Sequence, residues 1–570
     1  MKGILNSVLV FLVLAAPGFA QTLGEITGIV TDATGAVIAG ALVSARNNAT
    51  GATREVTTNS AGVYSFPALN PGVYEVRASA KGFKTAIRRD VTLEVQQNLR
   101  LDFDMAVGDV TESVSVSAGA ISLQTENATV GTVIENKRII ELPLNGRNAL
   151  QLVALAPNVS FGFPAAGQAD ARQGGIRASQ SISVGGQRAQ YNRFTLDGVE
   201  NTDPNFNTFV VLPSVDALQE FKVQSGIYPA EFGRGATQVN IMTKSGGNDY
   251  HGTLFHFLRN EKLDAKNYAF TANRPPKDPF RLNQFGFTLG GPVSVPKLFN
   301  GKNKLFFMAN YEWFRQRRSV QAISSLPSVA MREGNFSELP LGTAGIFDPR
   351  TRTNVGGQIV ATPFPGNILP STRIAAVSRQ LLEFYPVPNV AGAGLRNNFQ
   401  QAQGRPINRD QLVTRFDFVE SSNSQWFGRY SWGDENQLTE ALKLNGEKIV
   451  TNFNQYMVSN SRVLTPSIVN EARFGYTQFY NTTGPELAFT RDVVGELKMP
   501  GLASGPPVQW GIPNVSLQGV YAGFGNSSEG PYENNNSALQ FINNTTIVRG
   551  KIAATQHNIN SRRRDKLWKA

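Results

Sequence analysis

The 570 residues contain no cysteine and only three histidines. Without cysteine there are no disulfide staples, thiolate metal sites or thiol nucleophiles, so apolar cores and sheet pairing must hold the fold. Charged residues make up only 17% of the chain, and no sustained heptad pattern runs through it, which disfavours helix bundles. Beyond the first twenty residues no stretch reaches the length of a membrane helix. A mature chain that enters a membrane must then do so as a barrel, because only helices and closed barrels satisfy their backbone polar groups in lipid. No phosphate-cradling glycine loop followed by Lys-Ser/Thr occurs. Aromatic residues reach 10%, and 54 Gly and 30 Pro are spread along the chain. That composition suits many short strands joined by turns.

Residues 1–20 read as a secretory signal peptide. Lys2 supplies the positive end, residues 4–16 an apolar core, and Gly18-Phe19-Ala20 small residues at the two positions a signal peptidase inspects. Cleavage before Gln21 is expected. The net charge of +11 invites a nucleic-acid reading, but export argues against it, and the basic residues alternate with acids rather than forming a patch. Arg562-Arg563-Arg564 at the end is read as a solvated tail.

Enzymatic chemistry finds little support. His251 and His256 lie on one expected strand at a spacing that puts them on opposite faces, so they cannot share a metal locally. Ser294-Val295-Pro296-Lys297 matches an S-x-x-K string, yet Pro296 would disrupt the helix such a nucleophile normally needs. No catalytic residue, cofactor site or metal site is assigned.

Between residues 21 and 106 the chain is a series of short β-segments: 26–31, 41–46, 53–58, 63–66, 73–79 and 99–104. Asp32-Ala33-Thr34-Gly35 and Leu69-Asn70-Pro71-Gly72 provide turn chemistry. So many short strands in this length predict a sandwich. Gly28-Ile29-Val30-Thr31-Asp32, Gly35-Ala36-Val37-Ile38, Gly62-Val63-Tyr64-Ser65-Phe66 and Pro71-Gly72-Val73-Tyr74 resemble a carboxypeptidase-regulatory-like domain. That resemblance implies a prealbumin or carbohydrate-binding-like sandwich in an accessory role, without peptidase chemistry. Its aromatics, Tyr64, Phe66, Tyr74, Phe83 and Phe103, alternate as core residues should.

Residues 107–120 form a linker carrying the alternating segment Glu112, Ser113, Val114, Ser115, Val116, Ser117 and Ala118. It resembles a TonB box, which would pair with a TonB-type periplasmic energiser by strand addition, a mode that needs backbone groups more than particular side chains. The last sandwich strand is the competing reading. Residues 121–249 then carry, in order, Ile140-Glu141-Leu142-Pro143-Leu144-Asn145-Gly146-Arg147-Asn148, Val184-Gly185-Gly186-Gln187-Arg188, Phe194-Thr195-Leu196-Asp197-Gly198-Val199, Glu231-Phe232-Gly233-Arg234 and Gln238 through Gly246. This ordered set is similar to the plug domain of Oar-like TonB-dependent receptors, a small α/β unit that would sit in a barrel lumen. Asn145-Gly146 and Asp197-Gly198 read as tight turns between apolar strands.

From residue 250 to 570 the pattern is that of barrel strands. Leu305, Phe307, Ala309, Tyr311 and Trp313 share one face, with Lys304, Asn310 and Glu312 opposite, although Phe306 and Met308 blur the second face. Leu412, Thr414, Phe416 and Phe418 alternate with Val413, Arg415 and Asp417, and a short turn at 420–423 leads to Trp426, Gly428, Tyr430 and Trp432. Ala472, Phe474 and Tyr476 alternate with Glu471, Arg473 and Thr477. A soluble sandwich would alternate in the same way, but a lipid face rich in Tyr and Trp is expected of an outer-membrane strand, and the high aromatic content favours the barrel. Residues 371–385 have helical spacing, with Ser371 as the cap, and are placed in a long extracellular loop. About eight strands can be placed, against roughly 22 in plugged transporters. Residues 550–570 show no amphipathic strand and resemble an interrupted or frame-shifted end.

The chain is thus expected to be mainly β: an N-terminal sandwich, a small α/β plug and an incomplete antiparallel transmembrane barrel. The resemblance implies a cell-outer-membrane receptor for energy-coupled uptake, with TonB, outer-membrane lipid and an unidentified ligand, carbohydrate included, as partners. A surface adhesin or carbohydrate-binding protein built on the sandwich is the alternative.

Overall fold

The computed structural model describes residues 23–108, 113–117, 131–161, 182–188, 191–203, 208–225, 237–266, 268, 277–339, 345–465, 467–517, 521–525, 531–549 and 552–569. The signal peptide, Glu112, Ala118 and the motif at 231–234 lie outside them.

Strands β1 (Gly24–Asp32), β2 (Leu42–Asn47), β3 (Thr53–Thr57), β4 (Val63–Leu69), β5 (Gly72–Ser79), β6 (Thr85–Leu93), β7 (Asn98–Arg100) and β8 (Phe103–Met105) form the expected sandwich. One sheet runs β4-β1-β7, with β8 also on β1, and the other runs β3-β2-β5-β6. Between them Ile26, Val30, Val43, Tyr64, Phe66, Val76 and Phe103 are buried in one core. Tyr64, Phe66, Tyr74 and Phe103 are all buried, as their alternation predicts. Asp32 is committed to its turn: its Oδ1 accepts from the Thr34 and Ala36 amides and from the Thr34 hydroxyl, while Gly35 takes φ +87°.

Two details differ from expectation. The segment 99–104 is not one strand but β7 and β8, because Leu101 and Asp102 turn aside: Asp102 accepts from the Ile29 amide and Leu101 N–H donates to Thr27 O. Strand β6 was missed because its charged run Arg88-Arg89-Asp90 hides the alternation. A bulge with Asp90 at φ +57° then shifts its register against β5.

The backbone of β9 (Ser113–Ser117) pairs in parallel with β6, from Thr85↔Ser113 to Arg89↔Ser117, and forms the edge of that sheet. The region expected to be a plug, called the plug from here on, contributes β10 (Gly131–Glu135), β11 (Val159–Phe161), β12 (Ile182–Val184), β13 (Asn192–Leu196), β14 (Val199–Glu200), β15 (Leu218–Ser225) and β16 (Thr237–Thr243). Its main sheet has the order β10-β15-β16-β13-β14. Helix α1 (Asn136–Glu141) and a 3-10 segment (Ala149–Leu155) cover it. Asp197 (φ +50°) and Gly198 (φ +80°) make the expected tight hairpin turn, since two successive positive φ values define that turn type. Asn145-Gly146 does not join strands: it lies in a 3-10 turn between α1 and the second 3-10 segment, with Gly146 at φ +68°. Leu142-Pro143 ends the helix just before it, so the chain reverses without any sheet.

The largest sheet is antiparallel. It comprises β17 (His251–Asn260), β18 (Phe280–Pro292), β21 (Leu305–Ser324), β25 (Ile407–Ser421), β26 (Ser424–Thr439), β27 (Glu447–Thr465), β28 (Ile468–Pro485), β29 (Tyr532–Arg549) and β30 (Ile552–Lys569). Short hairpins β19 (Ser294–Val295) with β20 (Phe299–Asn300) and β22 (Thr353–Val355) with β23 (Gln358–Val360) lie in connections, and β24 (Phe399–Gly404) pairs antiparallel with residues 319–324 of β21. Strands β17 and β30 are the two edges of this sheet. Ser294 to Lys297 is strand and turn, with Lys297 at φ +64°, rather than helix.

Side chains alternate across the sheet as barrel strands require. Outside, Tyr311, Trp313 and Trp432 form one group of aromatic contacts and Tyr430, Tyr456 and Tyr476 another. The inner positions Phe306 and Met308 are buried, Met308 against Ala217 of the plug and Val413. They blurred the sequence pattern because this face is covered by protein rather than water. Residues 552–569 contain no Gly or Pro and complete a ladder on β29, correcting the expectation that no strand forms there. An unpaired β29 would have left a row of N–H and C=O groups open.

The strands turn tightly at one end, as at 421–424, and are joined at the other by long connections. The expected helix in one of these breaks into a 3-10 turn (Ser371–Arg373), α2 (Ala376–Leu381) and a second 3-10 turn (Leu382–Phe384). Ser371 does not cap it: α2 follows Ala375, and Ser371 O accepts from Arg379 Nη2 instead. Phe384, Tyr385, Val493, Ile512 and Phe524 pack these connections into a small core of their own.

Candidate functional site

The plug sheet sits in the concave face of the large sheet, and its core is shared with it. Phe194, Leu196, Phe209, Val211, Phe221 and Ile241 of the plug pack with Phe453 and Phe479, which point inward from β27 and β28. Polar contacts fix the seat around this core. Ser214 Oγ donates to Glu312 Oε2 over 2.7 Å, and Gln411 Nε2 donates to Leu212 O over 2.6 Å. Gln455 Nε2 donates to Glu200 O over 3.1 Å, while Glu200 N–H donates to Gln540 Oε1 over 2.8 Å.

The tip of the β13–β14 turn carries the electrostatic centre. The Asp197 carboxylate is wholly buried and accepts from the Thr243 amide and hydroxyl, each at 2.9 Å. Arg429 Nε stands 2.7 Å from Asp197 Oδ2, and Arg415 Nη1 3.6 Å from Oδ1. The first contact is an ion pair without the alignment of a hydrogen bond. Arg429 directs its other nitrogens to Leu196 O, Ser431 Oγ and Gln455 Oε1. Arg415 forks onto Asp417 and donates to Thr243 O. Two arginines and two aspartates therefore balance while buried, and such pairing is the condition under which buried charges are tolerated. A second inward pair, Arg473 with Glu471, lies farther along, with Asn544 Nδ2 donating to Glu471 Oε2.

At the sheet's first strand Arg147 pairs with Asp216 and lies over the rings of Phe255 and Phe257 at 4.4 and 4.5 Å. The motif Asn145-Gly146-Arg147 thus delivers a cation to β17, with Arg147 in the left-handed region at φ +53°. His251 and His256 are separate: the first faces Asp249 O and the second Asn283 Oδ1. Among the described residues no group of three or more His, Asp or Glu is arranged to hold a metal. The arrangement seats this sheet against the inner face of the large one.

The candidate partner-binding segment lies elsewhere. Only Ser113–Ser117 are described, as the backbone of edge strand β9. Sequence reasoning took Asp197 only for a turn residue, and Arg415, Arg473 and Glu471 only for alternating face residues. The available signal was a run of inward charges on strands whose other face is aromatic, because a charge facing into a sheet's concave side must meet a partner there.

Residues 242–554 match the family described as the outer membrane beta barrel domain, and residues 25–106 match the carboxypeptidase regulatory-like domain. The chain belongs to the outer membrane β-barrel family. Over 269 residues it is 26% identical to the TonB-dependent transporter Oar of Myxococcus xanthus, covering 45% of this chain and 23% of that protein. Similar solved structures include the outer membrane transporter YddB from Escherichia coli (TM-score 0.46, 10% identity, 75% of this chain and 47% of that one). Another is the siderophore receptor PirA from Acinetobacter baumannii (TM-score 0.41, 12% identity, 77% and 48%). The chain spans about half the length of these solved structures. The likeness to Oar-like TonB-dependent receptors, with a carboxypeptidase-regulatory-like domain in front, is borne out, and an outer-membrane location follows from the family.

Proposed function

We propose that this chain is the plug-bearing part of an outer-membrane receptor for energy-coupled uptake. The observation that carries the reading is the plug sheet seated on the inner face of the strands through Asp197, Arg415 and Arg429. A stopper seated by non-covalent contacts, a shared apolar core with hydrogen bonds and buried ion pairs around it, can be loosened and reseated. In this reading residues 1–20 are a cleaved leader, 21–106 the accessory sandwich, 107–120 the linker, 121–249 the plug and 250–570 barrel. Glu112 to Ala118 recruit a TonB-type periplasmic protein, and the ligand approaches through the long connections at the opposite end.

Titrating the periplasmic domain of TonB against the full chain in detergent tests this reading. Saturable binding that a peptide of residues 107–120 competes away is expected. Binding that survives excess peptide would move the contact elsewhere, and no binding would end the energy-coupled reading. Glycan-array binding by the sandwich with no TonB contact would favour the adhesin.

A further inference from the structure

The sandwich rests on the short-turn end of the large sheet, and its turn 94–97 reaches past the rim to the plug. Val95 N–H donates to Glu220 Oε1 at 2.5 Å. Lys222 Nζ donates to Gln96 O at 3.1 Å and Val95 O at 3.4 Å, and Asn240 Nδ2 donates to Gln96 Oε1 at 3.1 Å. Glu220 and Lys222 are two apart on β15, so they share a face, and Asn240 is the register partner of Lys222 on β16. Three buried polar side chains of the plug are thus aimed at one turn of another domain. Val95 itself is wholly buried with Leu23 and Ala68 of the sandwich, Met242 of the plug and Val469 of β28. Gln96 holds the turn in the left-handed region at φ +53°.

Two further contacts fix the sandwich at the rim. Asn248 N–H donates to Ala49 O at 2.9 Å, where the plug leads into β17. Buried Arg54 donates through Nη1 to Pro67 O and through Nη2 to Ser461 Oγ of β27, each at 2.7 Å. An accessory domain on a flexible tether would need none of these. Without the sandwich, Glu220 and Lys222 would lose the backbone groups they face.

We propose that the sandwich is the plug's inner clasp: turn 94–97 is a binding surface for plug strands β15 and β16, and β6 links that clasp to Ser113–Ser117. Strand β9 is zipped to residues 85–89, and the clasp turn begins at residue 94, directly after the same strand ends at Leu93. Between them lies the bulge at Asp90, where β6 can bend without leaving β5. A partner that takes β9 from β6 therefore disturbs the strand that holds the plug. Only this last step rests on the partner reading proposed above.

The absence of cysteine makes the clasp testable by stapling. A Cβ at Gly247 would lie 3.7 Å from Ala49 Cβ, within the disulfide range of about 3.5–4.5 Å. Amide exchange is measured on the full chain in detergent for three variants. Val95→Asp, on the sandwich side, is expected to raise exchange of 218–225 and 237–243 about tenfold while β2, β5 and 426–433 keep their protection. Fast exchange of 94–97 with unchanged plug protection would overturn the clasp. Should Val95→Asp also unfold the sandwich, the oxidised Ala49→Cys/Gly247→Cys staple decides: slower plug exchange than in its reduced form supports the clasp, and equal exchange refutes it. Val114→Pro tests the link, with faster exchange expected at 85–89, 94–97 and 218–225. Faster exchange at 85–89 alone would cut the link and leave the clasp standing. No TonB is present in these measurements, so their failure is distinct from a failure to bind TonB.

Discussion

Arg415 and Arg429 are register partners on adjacent strands, and the plug's Asp197 fits between them. Like charges directly opposite each other destabilise a sheet, so this pair of strands is tolerable only while the plug supplies its carboxylate. Asp417 already occupies Arg415 through a fork. Arg429 therefore depends more heavily on Asp197. The barrel wall and the plug turn each complete the other's charge.

Asp197→Ala is expected to destabilise the seated plug by about 3–5 kcal/mol, the range for removing one partner of a buried pair. Amide exchange of β13 and β16 gives the readout. Asp197→Ala with Arg429→Met should cost less than Asp197→Ala alone, because the orphaned guanidinium goes too. Additive losses in this double-mutant cycle would show that the two do not interact.

A pH dependence follows from Glu220. Burial pushes its carboxyl up to about 8, opposed by the hydrogen bond from the Val95 amide. The folded state therefore keeps a proton that the unfolded chain releases at its ordinary value of 4.5. The stability this group contributes is fully present below that value and is lost as pH rises from there to about 8, at up to about 1.4 kcal/mol per pH unit. Burial shifts neighbouring Lys222 downward, which acts in the opposite sense, so the comparison must isolate Glu220. Unfolding of the plug followed by exchange should show a flatter pH profile in Glu220→Gln across this interval. Parallel profiles for the two proteins would assign the dependence to other groups.

Much of the architecture was legible because burial on one side of a strand writes a period of two into the sequence. Leu412 to Phe418, Trp426 to Trp432 and Ala472 to Tyr476 announced their faces directly. Where both sides are covered the period fails, as at Phe306 and Met308, whose inner face meets the plug. Strand β6 was illegible for another reason: Arg88, Arg89 and Asp90 are more exposed than its core positions and a bulge interrupts the count. Long-range pairing left no local trace at all. Nothing near Asp197 names Arg429, which is 232 positions later in the same numbering.

The sandwich should fold alone. Its core of Ile26, Val43, Tyr64, Phe66, Val76 and Phe103 is built wholly from its own strands, whereas the apolar cluster it shares with plug and barrel draws on Leu23, Ala68 and Val95. Residues 24–105 expressed alone are expected to give a dispersed NMR spectrum and strand-type circular dichroism. A disordered chain would show that the clasp contacts are needed for folding as well as for docking.

Exported protein is expected to begin at Gln21, as Lys2, the apolar core and Gly18-Phe19-Ala20 require of a cleaved leader. N-terminal sequencing of membrane-inserted protein reads this directly. Retention of residues 1–20 would mean that the apolar segment stays as part of the mature chain.

The segment Glu112 to Ala118 is expected to bind TonB by strand addition, and its placement sharpens the test. Among the described residues strand β9 is the edge of its sheet, with one side on β6 and no strand paired on the other. A partner can add to the open side or displace β6, and in both cases the bonds run through backbone N–H and C=O groups. Val114→Pro removes one donor and fixes φ, so it should weaken binding of a 107–120 peptide at least tenfold. Ser115→Ala leaves the backbone intact and should change affinity less than twofold. In the full chain the comparison gains a second dimension. If the partner must displace β6, the full chain should bind more weakly than the free peptide, because pairing with residues 85–89 has to be given up first; if it adds to the open edge, the preformed strand should bind as tightly or more tightly. Equal affinity of the wild-type and Val114→Pro peptides would reduce the segment to a linker.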